Sequence, residues 1–426
     1  MSFDISTPPD WPRSSVSKYC HVQLGKMLQS DPSGDEDELL PYLRAISISK
    51  SGVDLSHQFT MWIKPHEKEK FLLKRDDVLI SEGGDAGRTA HFDAEGEYYF
   101  QNAINRVRPL DRNRVASRYL FYWFTFLKLA GYVDLICNVA TIAHFTAEKV
   151  KAAPFALPPF ETQKRIAAFL DEKTAQIDGL IAMKQALLER LAEKRQAIIT
   201  QAVTKGLNPA ARLKDSGIDW LGQIPAHWEV VALNKVTTKI TNGYVGPTRD
   251  LFVDDGVRYL QSLHIKGNRI IFGNDFYVEK EWSEKHAKSI LNAGDVLVVQ
   301  TGDIGQVACV PPEFEGCNCH ALIICAPTPD RLDGRFLAWL LNSDYGQEFL
   351  HMVKTGALHP HLNCGSVKFF SVLIPPVKEQ AKIADYIDEQ RTALDEITAK
   401  VTVSMQRLSE YRSALITSAV TGKLEI

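Results

Sequence analysis

Cys309, Cys317, Cys319, His320 and Cys325 form the densest set of metal-capable side chains in this 426-residue sequence. Zinc needs four converging thiolate or imidazole ligands, and a C-x-x-C knuckle commonly supplies two of them. The spacing here is C-x7-C-x-C-H, without a knuckle, and Cys309 and Cys325 lie in strand-like runs where Cys packs as a small apolar residue. No metal is expected. Amine methyl transfer would need an acid or amide before Pro-Pro-aromatic. Leu157-Pro158-Pro159-Phe160 and Ile374-Pro375-Pro376-Val377 have an aliphatic residue there, and Thr7-Pro8-Pro9-Asp10 lacks the aromatic, so all three are read without catalysis. There is no phosphate-binding Walker loop and no G-x-G-x-x-G. The glycines of 82–87 and 301–305 suit turns with positive φ, either plain hairpin corners or loops beside a polyanion. No catalytic residue is expected.

Cationic and amide side chains are the remaining chemistry. Arg106, Arg108, Arg112, Arg114 and Arg118 form a run with one acid inside it, Asp111. Tyr244, Arg249, His264, Lys266, Asn268 and Arg269 bracket glycine-containing loops. Arg88, Gln300, Thr301 and Gln306 flank the two glycine turns, and His359 precedes a long apolar-striped segment. Such groups can hydrogen-bond phosphates or base edges. The chain carries a formal charge of −3, so any such binding rests on local patches or on charge brought by a partner.

Two long helices must position these groups. Residues 155–207 and 372–426 align without a gap at an offset of 217, with about 20 of 53 positions identical. Pro158 meets Pro375, Gln163 meets Gln380, Asp171 meets Asp388 and Asp178 meets Asp395. The di-proline suits a helix entrance, and Gly206 and Gly422 suit left-handed caps. The stripes Ile166, Leu170, Ile177, Leu180, Leu187, Leu191, Ile198 and Ile383, Ile387, Leu394, Ile397, Val401, Leu408, Leu415 predict the seam of an imperfect coiled coil, interrupted by Lys173, Lys184, Lys194, Gln390 and Ser404. Each helix should run roughly 60 Å.

The duplication extends beyond the helices. Tyr42-Leu43 meets Tyr259-Leu260, residues 77–87 (DVLISEGGDAG) meet 295–305 (DVLVVQTGDIG), Arg118 meets Arg335 and His144 meets His361. The repeating unit is a globular domain plus a long helix. A short strand or helix start is expected at 20–27, a strand at 42–48, strand, glycine-rich turn and strand over 71–92, a strand region at 97–110, and an aromatic-rich helix at 118–133. Seven cysteines, without a secretory leader, suit a reducing cytoplasm. The most apolar run, 119–136, contains Lys128 and Asp134 and is too short and polar to span a membrane.

These motifs together resemble the DNA-specificity subunit of type I restriction-modification systems. The residues that carry the resemblance are WLGQIPAHWEV (220–230), GDVLVVQTGDIG (294–305), TGALHPHLNCGSVKFFSVLIPP (355–376), the paired PPxxxQxxIA at 158–167 and 375–384, and ITxAVT at 199–204 and 416–421. The first half departs most: its start lacks LGxIPxHW, and TIAHF (141–145) replaces the later histidine motif. The resemblance implies an α+β chain of two similar globular α/β target-recognition domains, each followed by a long helix. The helices would pair as an antiparallel coiled coil about a pseudo-two-fold. The expected segments are 1–157, first recognition domain; 158–207, central helix; 208–374, second recognition domain; and 375–426, C-terminal helix.

Each domain would read half of a split, asymmetric double-stranded DNA target. The helices would space the domains and dock two methyltransferase (modification) subunits, which use S-adenosylmethionine. Restriction/translocase subunits using ATP and Mg²⁺ would join the same cytoplasmic complex, and the specificity chain itself would hold no cofactor and catalyse nothing. The alternative from the residues alone is a coiled-coil adaptor without sequence readout.

Overall fold

The computed structural model describes residues 5–49, 52–57, 59–137, 144–273, 276–356 and 360–426. It divides into two compact units, Met1–Lys184 with Thr402–Ile426, and Gln185–Val401. The division falls inside both long helices, Phe160–Lys205 (46 residues) and Val377–Val420 (44 residues). Each unit therefore holds one end of each helix.

In the first unit, β1 (Cys20–Leu24), β2 (Asp77–Ser81), β3 (Thr89–Phe92) and β4 (Ile104–Pro109) form an antiparallel sheet in the order β1-β4-β2-β3. All five residues of β2 are buried. A strand covered on both faces loses the alternation of a one-sided sheet and reads as a continuous apolar run. Helix α1 (Ser117–Leu129) contributes Tyr119, Leu120, Tyr122, Trp123, Phe124, Phe126 and Leu127 to the core. The expected single helix over 118–133 is broken at Gly131, whose φ of 76° starts the separate helix Tyr132–Ile136.

The second unit repeats this plan. Strands β5 (Thr237–Asn242), β6 (Val296–Val299), β7 (Val307–Cys309) and β8 (Leu322–Pro327) are ordered β5-β8-β6-β7, and helix α2 is Gly334–Asn342. A parallel strand pair is also shared: Tyr42 pairs with Tyr99 in one unit and Tyr259 with Asn318 in the other.

The two helices run antiparallel within each unit. In the first, Ile166, Leu170 and Ile177 share a core with Leu415, Ile416, Ala419 and Val420. In the second, Ile199, Ala202 and Val203 share one with Ile383, Ala384 and Ile387. The head of one helix thus lies beside the tail of the other. Ion pairs repeat the pattern: Arg412 donates to both carboxylate oxygens of Asp178 (2.9 and 3.1 Å), and Arg195 pairs with Asp395.

The motif PPxxxQ has a structural cause. Gln163 is fully buried; its amide nitrogen donates to the carbonyls of Pro158 (2.8 Å) and Arg114 (3.0 Å), and its oxygen accepts from the N–H of Ala116 (2.9 Å). Gln380 does the same with Pro375 (2.8 Å), Arg331 (2.9 Å) and Asp333 (2.8 Å). One side chain thereby ties each helix entrance to the segment leading into α1 or α2.

The helix seam differs from the expected stripe at three places. Leu180, Leu187 and Ile397 are exposed. The half-buried or buried positions are instead Ile177, Ile181, Lys184, Leu188, Leu191, Arg195 and Ile198 on the first helix, and Leu394, Thr398, Val401, Met405 and Leu408 on the second. That spacing alternates four and three, the heptad pattern of a left-handed pair. A stripe built only from apolar residues slips off it, because Lys184 holds a seam position, where its alkyl stem can pack and its head reach water. Lys194 is exposed, and Lys173 is half-buried and pairs with Glu172 of its own helix at 2.9 Å.

The first domain's start is less divergent than its sequence suggested. The Trp11 N–H donates to the Pro8 carbonyl (3.1 Å), as Trp228 does to Pro225 (3.0 Å). The glycine ending each helix packs there: a Cβ on Gly422 would lie 2.5 Å from Pro8 and 3.0 Å from Trp11, and one on Gly206 3.2 Å from Trp228. Both glycines have positive φ, 71° and 73°.

Candidate nucleic-acid interface

In each unit the residue after the second sheet strand is tied to a later segment by the same bond. Phe145 N–H donates to the Glu82 carbonyl (2.7 Å), and Leu362 N–H to the Gln300 carbonyl (3.0 Å). His144 and His361 therefore flank equivalent glycine turns and are both exposed. Gly84, Gly87, Gly302 and Gly305 all have positive φ, as the turn reading required. Thr301 is exposed at the tip of its loop, while Gln300 is half-buried.

The arginine run does not form one surface patch. Arg106 is only 3% exposed; it donates to the carbonyls of Lys70 and Leu72 (both 3.1 Å) and lies over the Phe100 ring. Burial, with Arg108 nearby, pushes its pKa down to about 10. Arg108 is held by both oxygens of buried Asp77 (2.6 Å each). Arg118 pairs with Asp171 on the long helix (2.7 Å). Arg88 donates to the Ala45 carbonyl (2.8 Å). Arg112 and Arg114 are exposed, the former bonded to the Arg75 carbonyl (2.9 Å) and the latter over the Tyr19 ring.

Arg106 is thus corrected from surface candidate to interior anchor, because its strand is covered on both faces. Arg106→Gln should lower stability by about 2 kcal/mol, since two buried carbonyls lose a charged donor. Hydrogen exchange of the first unit's sheet amides checks the value, and unchanged DNA affinity of the folded protein checks the assignment.

In the second unit, His264 is also an interior residue. It is fully buried, its Nδ1 accepts from the Gln261 N–H (2.9 Å), and its ring packs against Phe272. It cannot reach a duplex from there. Lys266 and Arg269 are exposed on the hairpin formed by Ile265–Lys266 and Arg269–Ile270. Gly267 and Asn268 both have positive φ (54° and 57°), as a two-residue turn matching strand twist requires. Gln306 accepts from the Gly267 N–H (3.2 Å), so Lys266, Asn268, Arg269 and Gln306 come together. Tyr244 lies apart from this group among aromatic rings, 5.0 Å from both Trp282 and His286 and near His320. Burial pushes the His320 pKa below its ordinary value, which favours the neutral ring. Arg249 is exposed in the following turn. His359 lies outside the described residues.

Cys319 and Cys325 are fully buried and Cys317 nearly so, with burial pushing their thiol pKa values upward. Among the described residues no group of His, Cys, Asp and Glu is arranged to hold a metal ion, and no helix is long and apolar enough to cross a membrane.

Sequence reasoning missed the anchors. Arg118 with Asp171 recurs as Arg335 near Asp388 (3.8 Å), and Asp178 with Arg412 recurs as Asp395 with Arg195. The signal was present, because both members of each pair recur at the 217 offset.

A duplicated recognition fold on paired helices is the class these units define. The chain belongs to the family described as the type I restriction modification DNA specificity domain, matched over residues 8–190 and 225–403. It is 24% identical over 434 residues to the type I restriction enzyme StySPI specificity subunit of Salmonella potsdam, covering 98% of this chain and 90% of that one. The EcoBI specificity subunit of Escherichia coli is 20% identical over 440 residues, covering 99% and 87%. Among solved structures, a chain reported under the complex assembly and conformational transition of the type I R-M system superposes with a TM-score of 0.75 at 16% identity, covering 99% of this chain and 100% of that one. The HsdS subunit of Thermoanaerobacter tengcongensis gives 0.54 at 16% identity, covering 98% of both.

Proposed function

We propose that this chain is the specificity subunit of a type I restriction-modification complex, reading a bipartite, asymmetric DNA target through one globular domain per half-site. The duplicated unit carries this reading: the anchors Gln163 and Gln380 are reproduced bond for bond, while the loops around them differ. A shared frame with divergent loops suits two readers of unlike sequences. Phosphate contacts set register and base contacts set sequence. Exposed Arg112, Arg114, Arg249, Lys266 and Thr301 are the candidates that lie at the surface where DNA can reach them, with half-buried Tyr244 offering an aromatic edge. The paired helices hold the readers apart and dock two modification subunits, and restriction subunits join the same assembly. S-adenosylmethionine, ATP and Mg²⁺ chemistry belongs to those partners.

The test is selection from a random DNA library by the full chain with its modification subunits. Enrichment of two half-sites at one fixed gap is expected, and replacing residues 216–374 with another such domain should change one half-site only. A single continuous site, or salt-sensitive binding without sequence preference, would instead indicate an adaptor.

A further inference from the structure

Two residues of the hairpin Ile265–Ile270, Asn268 and Arg269, bond within their own unit, while Lys266 stays exposed. Asn268 accepts from the Cys309 N–H through its side chain (3.4 Å), and its carbonyl accepts from Arg391 on the second long helix (3.5 Å). Arg269 donates to one oxygen of Asp395 (3.0 Å), and the other oxygen of Asp395 binds Arg195 of the first long helix. One carboxylate therefore joins the recognition domain's hairpin to both helices. The first unit keeps the interhelix pair, Asp178 with Arg412, but the residue matching Arg269 at the repeat offset is Gly52. Gly52 has no side chain to make the Arg269 contact, whereas the interhelix pair belongs to the shared frame.

We propose that this hairpin is a strut fixing the second recognition domain on the helix segments of its unit, with Asp395 as the positioning residue, and that it sharpens the gap length the protein accepts. The proposal rests on the bipartite reading above. Arg269 then acts on spacing and not on base identity. A domain free to pivot could follow a half-site displaced along the duplex, whereas a domain tied at its hairpin could not. Exposed ion pairs contribute up to about a fivefold factor each.

The test uses the full chain with its modification subunits and a library in which the half-sites are kept and the gap is varied. Arg269→Gln should leave both selected half-sites unchanged and reduce discrimination between the best gap and its neighbours about fivefold. Asp395→Asn, which weakens both links, should do at least as much; Arg195→Gln should do less; and Arg269→Lys should recover part of the loss. Hydrogen exchange on the same variants should show the Gly267 and Ile271 amides less protected in Arg269→Gln. Unchanged gap discrimination, or unchanged protection of those amides, overturns the strut. Altered bases in the second half-site would make Arg269 a reader and overturn it as well. If the unmodified protein selects no bipartite target, the specificity reading fails separately, and the exchange data alone decide whether the hairpin is tied to the helices.

Discussion

Gln163→Ala and Gln380→Ala should each cost about 3 kcal/mol of stability in their own unit, because a buried donor or acceptor left without a partner costs roughly 1–3 kcal/mol. Each substitution strands one N–H and two carbonyls: those of Ala116, Pro158 and Arg114, or of Asp333, Pro375 and Arg331. The Pro158 and Pro375 carbonyls precede the helices, which begin only at Phe160 and Val377, and the other groups lie in the segments leading into α1 and α2. Glutamate has nearly the same shape but no amide donors, so two carbonyls would face a carboxyl group. Gln163→Glu should therefore destabilise at least as much as alanine, which a steric or packing role would not predict. Two units need not unfold as one, so hydrogen exchange is the measurement: protection should fall around Ala116 in one variant and around Asp333 in the other. Loss of protection spread evenly over both units, or none, would rule out the local staple.

The glutamines also show what the sequence made legible. An identical polar residue at matched positions of two buried helix entrances survives only where its bonds are matched too, so the repeat exposed the frame. Burial of charge was not legible. Arg106 and His264 look like surface cations in a linear reading, yet one lies in a strand covered on both faces and the other beneath an aromatic cluster. Arg106 is covered by segments distant in sequence, its carbonyl partners being Lys70 and Leu72, whereas His264 is covered by the nearby Phe272 and Phe276, whose folding back over it no spacing rule announces. The helix seam failed for a related reason. Apolarity pointed to Leu180 and Leu187, but the heptad continues through Ile181, Lys184 and Leu188, where the charged residue keeps the register and the leucines one step away face outward. Pro8 and Trp11 were legible in principle, since their partners Pro225 and Trp228 stand at the same 217 offset; the missing LGxI hid them.

The same register dictates what a change in helix length should do. Asp178 and Arg195 are as far apart on the first helix as Asp395 and Arg412 are on the second. Removing seven residues from one helix alone would break one ion pair to keep the other, so a clean test removes 181–187 and 403–409 together. Both pairs and the four-three seam then survive. Each helix shortens by about 10.5 Å, close to the rise of three base pairs at roughly 3.4 Å each. The selected gap should shorten by about three base pairs, with both half-sites unchanged, and affinity for the original target should fall about 100-fold or more as one half-site loses its base contacts. Recovery at the shorter gap should be incomplete. A heptad returns the helix face to within about 20°, whereas three base pairs turn the second half-site by roughly 100°. Distance and phase then conflict, and the complex must twist the DNA or tilt a domain. Library selection with gap length left free measures both effects. An unchanged gap would mean that the paired helices do not set the spacing, whatever else they dock.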